Sequence, residues 1–244
     1  MEFGVGREFL EKTKYKYLVP APQQKGAGPP PLQVDFAKGG GRVELPSPAK
    51  VGGEIQKLIE QRTSLRRYAE KALTQKELSC LLWCTQGVKK TEAGLHTFRT
   101  VPSAGARHAF ETLVLANRVE GLEPLLYQYM ALEHKLGVVS HDSRIAEKIV
   151  FGCMGQNMVA TSAATFIWVA DVERMTWRYG ERGYRYILLD AGHICQNLYL
   201  AAESIGCGAC GIGAFDDDVM NETLGLDGER HFVVYVGCVG KKVK

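Results

Sequence analysis

Apolar positions along this chain recur with two periods, and the change from one to the other predicts its elements. Residues 53–62 read as a helix with Ile55, Leu58 and Ile59 on one face. The stretch Thr74-Gln75-Lys76-Glu77 has the capping-box form, with a hydroxyl at the N-cap and a carboxylate three residues on. It opens a second helix in which Leu78, Leu81, Leu82 and Thr85 share a face, and Gly87 is placed to end it. Residues 110–117 and 125–131 read as strands joined through a turn at Glu120-Gly121. Residues 143–162 read as interrupted helix, and 165–170 as a continuously apolar strand covered on both faces. The strongest helix is 184–205. Ile187, Ala191, Ile194, Leu198, Ala201 and Ile205 step by four and three, while Leu188, Cys195 and Ala202 widen the stripe. Leu189 and Leu200 lie on the other side, so this helix belongs in a core or a subunit interface. Gly206 suits its C-cap, and 231–239 reads as a second buried strand. The order helix, helix, strand, strand, helix, strand, helix, strand lacks βαβ alternation and predicts an α+β fold.

The first 50 residues differ from the rest. Seven of the nine prolines fall at or before Pro48, together with the run Gly39-Gly40-Gly41. They predict an extended arm over residues 1–50, lying on the body or on a partner subunit, and one domain over 51–244. A net charge of +3 is too small to make nucleic acid the main partner, yet leaves room for a phosphate held by a few local arginines. No apolar run is long enough to span a bilayer, and the start of the chain has no signal-peptide pattern, so the expectation is a cytoplasmic protein.

Four stretches carry candidate chemistry. Arg62-Thr63-Ser64-Leu65-Arg66-Arg67 sets three guanidiniums and two hydroxyls at the end of a helix. Arginine forks suit phosphate oxygens, although a solvated charged turn would look the same. Lys241 and Lys242 follow a buried strand and read either as a charged tail or as further phosphate ligands. The loop from Val101 to His108, VPSAGARH, has small residues that let a flat ring approach the backbone, with Ser103, Arg107 and His108 for its edges. The run from Gly206 to Phe215 contains G-x-G-x-x-G. It follows a helix and leads into a short strand, whereas a dinucleotide fingerprint follows a strand and opens a helix. Its Cys207 and Cys210 form one C-x-x-C, open to structural, redox or metal-binding readings; a zinc site lacks a second pair, and no metal is expected. On the long helix Asp190, His193 and Asn197 share one arc, beside Arg185 and Gln196, and read as a hydrogen-bond network across an interface.

These pieces stand together in the order found in the flavin nitroreductase superfamily, and the chain most resembles its SagB-type dehydrogenase branch. The matching stretches are EKTKY from Glu11, RTSLRRY from Arg62, LSCLLW from Leu78, PSAGARH from Pro102 and VEGLEP from Val119. YGERGYRY from Tyr179, AGHICQN from Ala191 and GIGAFD from Gly211 complete the set. The resemblance implies a central antiparallel sheet wrapped by helices, and an intertwined homodimer with two FMN sites at its interface. It implies phosphate and ribityl contacts from Arg62, Ser64 and Arg66, with Thr63 beside them, and from Lys241. It also implies a flavin-facing loop of Pro102, Ser103, Ala104, Gly105 and Ala106, and a segment Ile212-Gly213-Ala214 whose backbone meets the reactive N5 edge. Ala106 stands where many members carry Asn, so that contact is missing or is supplied elsewhere, with Arg107 the candidate.

The function expected from the resemblance is transfer of hydride or electrons between NAD(P)H and a small organic acceptor such as a nitroaromatic or quinone, in ping-pong order. The cofactor carries the chemistry, and no protein acid or base is demanded. Two alternatives stand beside it. One is oxidation of azolines to azoles in a modified peptide; azoline-oxidising members are thought to use a Lys-Tyr pair where this chain has Arg178-Tyr179, and arginine cannot serve as a base. The other is a flavin-binding protein with little turnover.

Overall fold

In a computed structural model the described residues are 4–48, 52–92 and 94–243. Seven strands form one antiparallel sheet. In chain order they are β1 (Arg42–Glu44), β4 (Phe110–Ala116), β5 (Leu126–Met130), β6 (Lys135–Ser140), β7 (Ala164–Asp171), β8 (Cys207–Ile212) and β9 (His231–Lys241). A separate hairpin joins β2 (Val88–Glu92) to β3 (His96–Arg99). The spatial order of the sheet is β1-β6-β5-β4-β7-β9-β8, which leaves β8 at one edge.

The helices cover both faces, and the central strands β4 and β7 are buried along their whole length for that reason. Successive side chains of a strand point to opposite faces. In β7, Ala164, Phe166, Trp168 and Ala170 join one core, and Ile167 and Val169 join the other. The first core is roofed by α3 (Gln75–Gln86) and α7 (Gly183–Ser204), through Leu78, Leu81 and Leu82 and through Ile187, Ile194 and Leu198. The second is roofed by α4 (Ile145–Gly152), α5 (Met158–Thr161) and α8 (Asp217–Leu224), through Ile149, Val159 and Met220. The α+β architecture expected from the element order is the one observed.

Local signals held where they were strong. Glu77 N donates to Thr74 Oγ1 at 3.2 Å while Thr74 N donates to Glu77 Oε2 at 2.9 Å, which closes the capping box. Gly206 has φ +68, the left-handed conformation after a helix. Gly87 ends α3 for another reason: its φ is −58, and a Cβ there would lie 2.4 Å from the Trp83 ring.

Two readings need correction. The run from Cys207 does not lead into a strand but is itself strand β8. Its glycines serve close packing, since a Cβ at Gly208 would fall 2.5 Å from Leu65 and one at Gly211 would fall 2.6 Å from the Tyr235 hydroxyl. The first 50 residues are not wholly an extended arm: Val5–Lys12 forms a helix, α1, and β1 adds an edge strand to the sheet against β6. Helix α2 (Ile55–Gln61) buries none of its residues; Ile55 and Ile59 are exposed, at 62% and 53%. Between α1 and β1 the chain is held by polar side chains that grip its backbone. Arg174 donates to Pro31 O at 2.9 Å, Glu111 accepts from Val34 N at 2.8 Å, and Gln128 accepts from Phe36 N at 2.7 Å.

Candidate flavin site

The basic stretch is stitched to the sheet edge. Arg62 caps α2, its N–H bonding Leu58 O at 3.1 Å. Ser64 then forms a parallel bridge with Ala209 of β8, and Leu65 N donates to Ala209 O at 2.8 Å. Ala69 N donates to Lys241 O at 2.9 Å, so the segment also lies beside the end of β9. Tyr199 of α7 organises the cluster. Its hydroxyl accepts from Gly211 N at 2.7 Å and lies 3.1 Å from Ser64 Oγ, and the Arg62 guanidinium sits 5.4 Å from its ring. Arg66 Nη1 approaches Ser64 O at 3.4 Å, and Thr63, Ser64 and Arg66 are exposed. Among the described residues neither Arg62 nor Arg66 has a carboxylate partner, whereas Lys241 is ion-paired with Glu77.

Farther along the same edge, Gly213 and Ala214 are exposed while Ile212 stays in the core. Gly213 stands four positions beyond Ala209, about 13 Å of extended chain. Gly213 has no internal reason to be glycine: a Cβ there would meet only Tyr235, at 3.9 Å. Ala214 is fixed from behind, its carbonyl accepting from Gln156 Nε2 at 2.8 Å.

The small-residue loop before β4 is a tight, strained turn. Gly105, Ala106 and His108 have φ of +57, +52 and +45. Two of these three are not glycine, and such backbone is held only where the surroundings over-determine it. Here Ser103 Oγ accepts from His108 N at 2.9 Å, and Asp190 of α7 accepts from Ala104 N at 3.3 Å. Burial raises the Asp190 carboxyl above its usual range, opposed by its bonds to Ser103 and Ala104. Burial, with Arg99 next in effect, takes the His108 imidazole down to about 3, so the ring is neutral. Gly105 is required at its position, because a Cβ would lie 2.4 Å from the Tyr179 hydroxyl. Pro102 is exposed, and Arg107 is buried with Nη2 donating to Leu95 O at 3.0 Å.

The two halves are anchored on different sides of α7. Tyr199 holds the basic stretch and Asp190 holds the loop. Nine residues of helix separate them, about 14 Å along the axis and half a turn around it at 3.6 residues per turn. The cluster of Arg62, Thr63, Ser64 and Arg66 shares the β8 edge with Gly213 and Ala214, and Lys241 lies beside it; the loop from Pro102 to Arg107 lies on the opposite side of α7.

The other sequence candidates resolve by geometry. Cys207 and Cys210 are three apart on a strand, so their thiols point to opposite faces and enter different cores. They cannot bridge to each other or share a metal; burial pushes Cys207 up to about 11. Among the described residues of one chain, the polar arc of α7 does not bond to itself. Asn197 Nδ2 donates to Cys84 O at 2.9 Å, Asp190 serves the loop, and His193 is exposed. Arg185 turns away to Thr13 Oγ1 and Leu10 O. Tyr199 escaped the sequence reading, because a tyrosine inside an apolar helical stripe looks like core.

Two guanidiniums and two hydroxyls on an open edge suit a phosphate dianion, and an unobstructed backbone farther along suits a flat ring. Known proteins supply the family. The Nitroreductase family profile matches residues 59–241. "Putative nitroreductase MJ1384" of Methanocaldococcus jannaschii is 33% identical over 202 residues, 83% of this chain and 97% of that protein. The trifolitoxin-processing protein TfxB of Rhizobium leguminosarum bv. trifolii is 29% identical over 147 residues, 59% of this chain and 39% of its own length. Among solved structures, one described as a putative nitroreductase from Anabaena variabilis superposes with a TM-score of 0.72 at 29% identity, over 86% of this chain and 43% of that one. With three quarters of its length under the family profile, the chain belongs to the nitroreductase family and is an oxidoreductase.

Proposed function

We propose that two copies of this chain hold FMN between them and pass electrons from NAD(P)H to a small organic acceptor. The observation that carries the reading is the division of the site across α7. In this reading the basic stretch and Gly213 line one end of the ligand, and the 102–107 loop, held on the other side of α7, comes from a second copy. Uncovered apolar surface supports that second copy. Leu188 and Leu189 of α7 are 57% and 60% exposed, and so are the α2 residues Ile55 and Ile59, at 62% and 53%. Gly192, at mid-helix on the same exposed side, has nothing within 4 Å of its Cβ position. A helical glycine there costs about 1 kcal/mol against alanine and serves close approach by another chain.

In this reading Arg62, Ser64 and Arg66 take the phosphate. Lys241 adds positive charge from its pair with Glu77. The Gly213 and Ala214 backbone lies along the ring edge, and Ser103 to Ala106 of the second copy lie along its face. When bound, FMN would supply the two-electron redox chemistry that links the nicotinamide to the acceptor. The protein excludes water, orients the ring and presents backbone dipoles, which polarise without bringing a charge.

A visible spectrum of the purified protein after reconstitution with FMN, followed by anaerobic NADH or NADPH, tests this. Flavin bands that bleach on addition of the nucleotide are expected. Absence of bound flavin would sink the reading; bands that persist would leave a flavin-binding protein or a dehydrogenase reduced by its own substrate. The likeness to a trifolitoxin-processing protein favours that last, peptide-directed dehydrogenase as the second reading. Bleaching by an azoline peptide and not by nicotinamide would select it.

A further inference from the structure

Four arginines crowd the place where α6 (Val172–Tyr179) meets α7 and the 103–107 loop, and among the described residues none is ion-paired with a carboxylate. Two are committed to the N-terminal segment. Arg182 donates to Tyr186 Oη and to Thr13 O, both at 2.8 Å, and lies 4.3 Å from the Tyr15 ring centre. Arg185 holds Leu10 O and Thr13 Oγ1. The other two are less satisfied. Arg107, only 8% exposed, reaches two carbonyl oxygens and stacks 5.0 Å from Trp177. Burial first, and Arg178 second, make its charged form harder to hold. Arg178 is exposed, and its one described contact is with the ring of its neighbour Tyr179, at 5.7 Å.

The nearby acids do not answer this charge. Glu173 pairs with Arg230 at 2.9 Å. Glu181 faces a different hollow, with Val5 and Phe9. Asp190 is buried under the loop and turned to Ala104. Arg178 instead forms one wall of a hollow of about 430 Å³, completed by Tyr15, Leu18, Pro20, Gln24 and Tyr179. That volume is in the range of small-molecule sites. Apart from the Gln24 amide its walls are aromatic and apolar, and its one formally charged lining residue is Arg178.

We propose that this hollow binds a planar organic carboxylate, with the Arg178 fork on the carboxylate and the ring between Tyr15 and Tyr179. Arg107 adds attraction without contact. Tyr179 Oη lies against Gly105, so the hollow adjoins the loop assigned above to the face of the flavin. Resting on that assignment, the carboxylate is the handle by which an anionic aromatic acceptor is selected over a neutral one. The N-terminal segment thereby shapes the site through Tyr15.

Calorimetric titration with benzoate and with benzamide tests the site on both FMN-free and FMN-loaded protein. Benzoate is expected to bind saturably and at least tenfold more tightly than benzamide, with Trp177 fluorescence reporting the same event. Arg178→Ala is expected to lose at least tenfold in benzoate affinity, and Arg178→Lys to lose less, since the charge remains and the fork does not. An unchanged melting temperature for Arg178→Ala separates lost binding from lost fold. Equal binding of the two probes, or benzoate affinity untouched in Arg178→Ala, overturns the proposal. Selective benzoate binding by a protein that takes up no FMN would instead fault the flavin assignment alone.

Discussion

Hydroxyls and a few guanidiniums would form the phosphate end of the proposed site. Tyr199 donates nothing new to a ligand, yet it fixes Ser64, the Gly211 amide and the Arg62 guanidinium at once. Its removal is expected to loosen binding by freeing groups that would otherwise be held in place. Tyr199→Phe should weaken FMN binding by about 1 kcal/mol, the net worth of one hydrogen bond, and Arg66→Ala by at least ~1.5 kcal/mol, the scale of a charge-assisted one. Fluorescence titration of FMN into each variant measures both. Wild-type affinity in Arg66→Ala would mean that the phosphate lies elsewhere.

Helix α7 does three things on different sides. Ile187, Ile194 and Leu198 roof the sheet. Asp190 and Tyr199, half a turn apart, hold the two site segments. Leu188 and Leu189 stay exposed. A monomer leaves this last stripe in water, and burying two such side chains in an interface is worth roughly 3–6 kcal/mol. The double substitution Leu188→Glu with Leu189→Glu is therefore expected to give a folded monomer that no longer retains FMN. Light scattering after gel filtration gives its mass, and the visible spectrum its flavin. Full FMN occupancy in a monomer would show that one chain completes the site.

The fold as a whole rests on a buried charge cluster that ties the N-terminal segment to the sheet. Arg174 is 2% exposed and pairs with Glu111, also 2% exposed, while lying 3.3 Å from the fully buried Asp171. Both partners also grip the segment, through Pro31 O and Val34 N. Taking the charge from one side strands the other in a medium that cannot solvate it. Glu111→Gln should cost ~3 kcal/mol or more, a fall in Tm of roughly 6–12 °C for a chain of this size. Trypsin cleavage after Lys25 or Lys38 should quicken at the same time. A variant with the parent melting temperature and the parent digestion rate would show that the cluster is not what holds the segment.

How much of this was legible in the chain follows from how local each signal is. Thr74 and Glu77 cap α3 through neighbours three residues apart, and the spacing of Ile187, Ala191, Ile194 and Leu198 already describes one helical face. The α+β class and the residue stretches of the site were open to the same kind of reading, the latter because family motifs are contiguous runs. Strand β8 was not, since its glycines look like loop until Leu65 and Tyr235 are seen to need their space. Short elements such as β1 and β6 were lost because three to six residues carry too little periodicity to stand out. The pairing of Cys207 and Cys210 was undecidable in the sequence, and one fact settles it: three residues along a strand reverse the side chain. By itself the sequence determined the local elements, the core faces and the residues able to meet a phosphate, all set by spacing along the chain. Only the tertiary structure decided that Tyr199 joins Ser64 to Gly211, that the two parts of the site lie on opposite sides of α7, and that Arg178 faces a hollow with no carboxylate, since each depends on residues distant in the chain and adjacent in space.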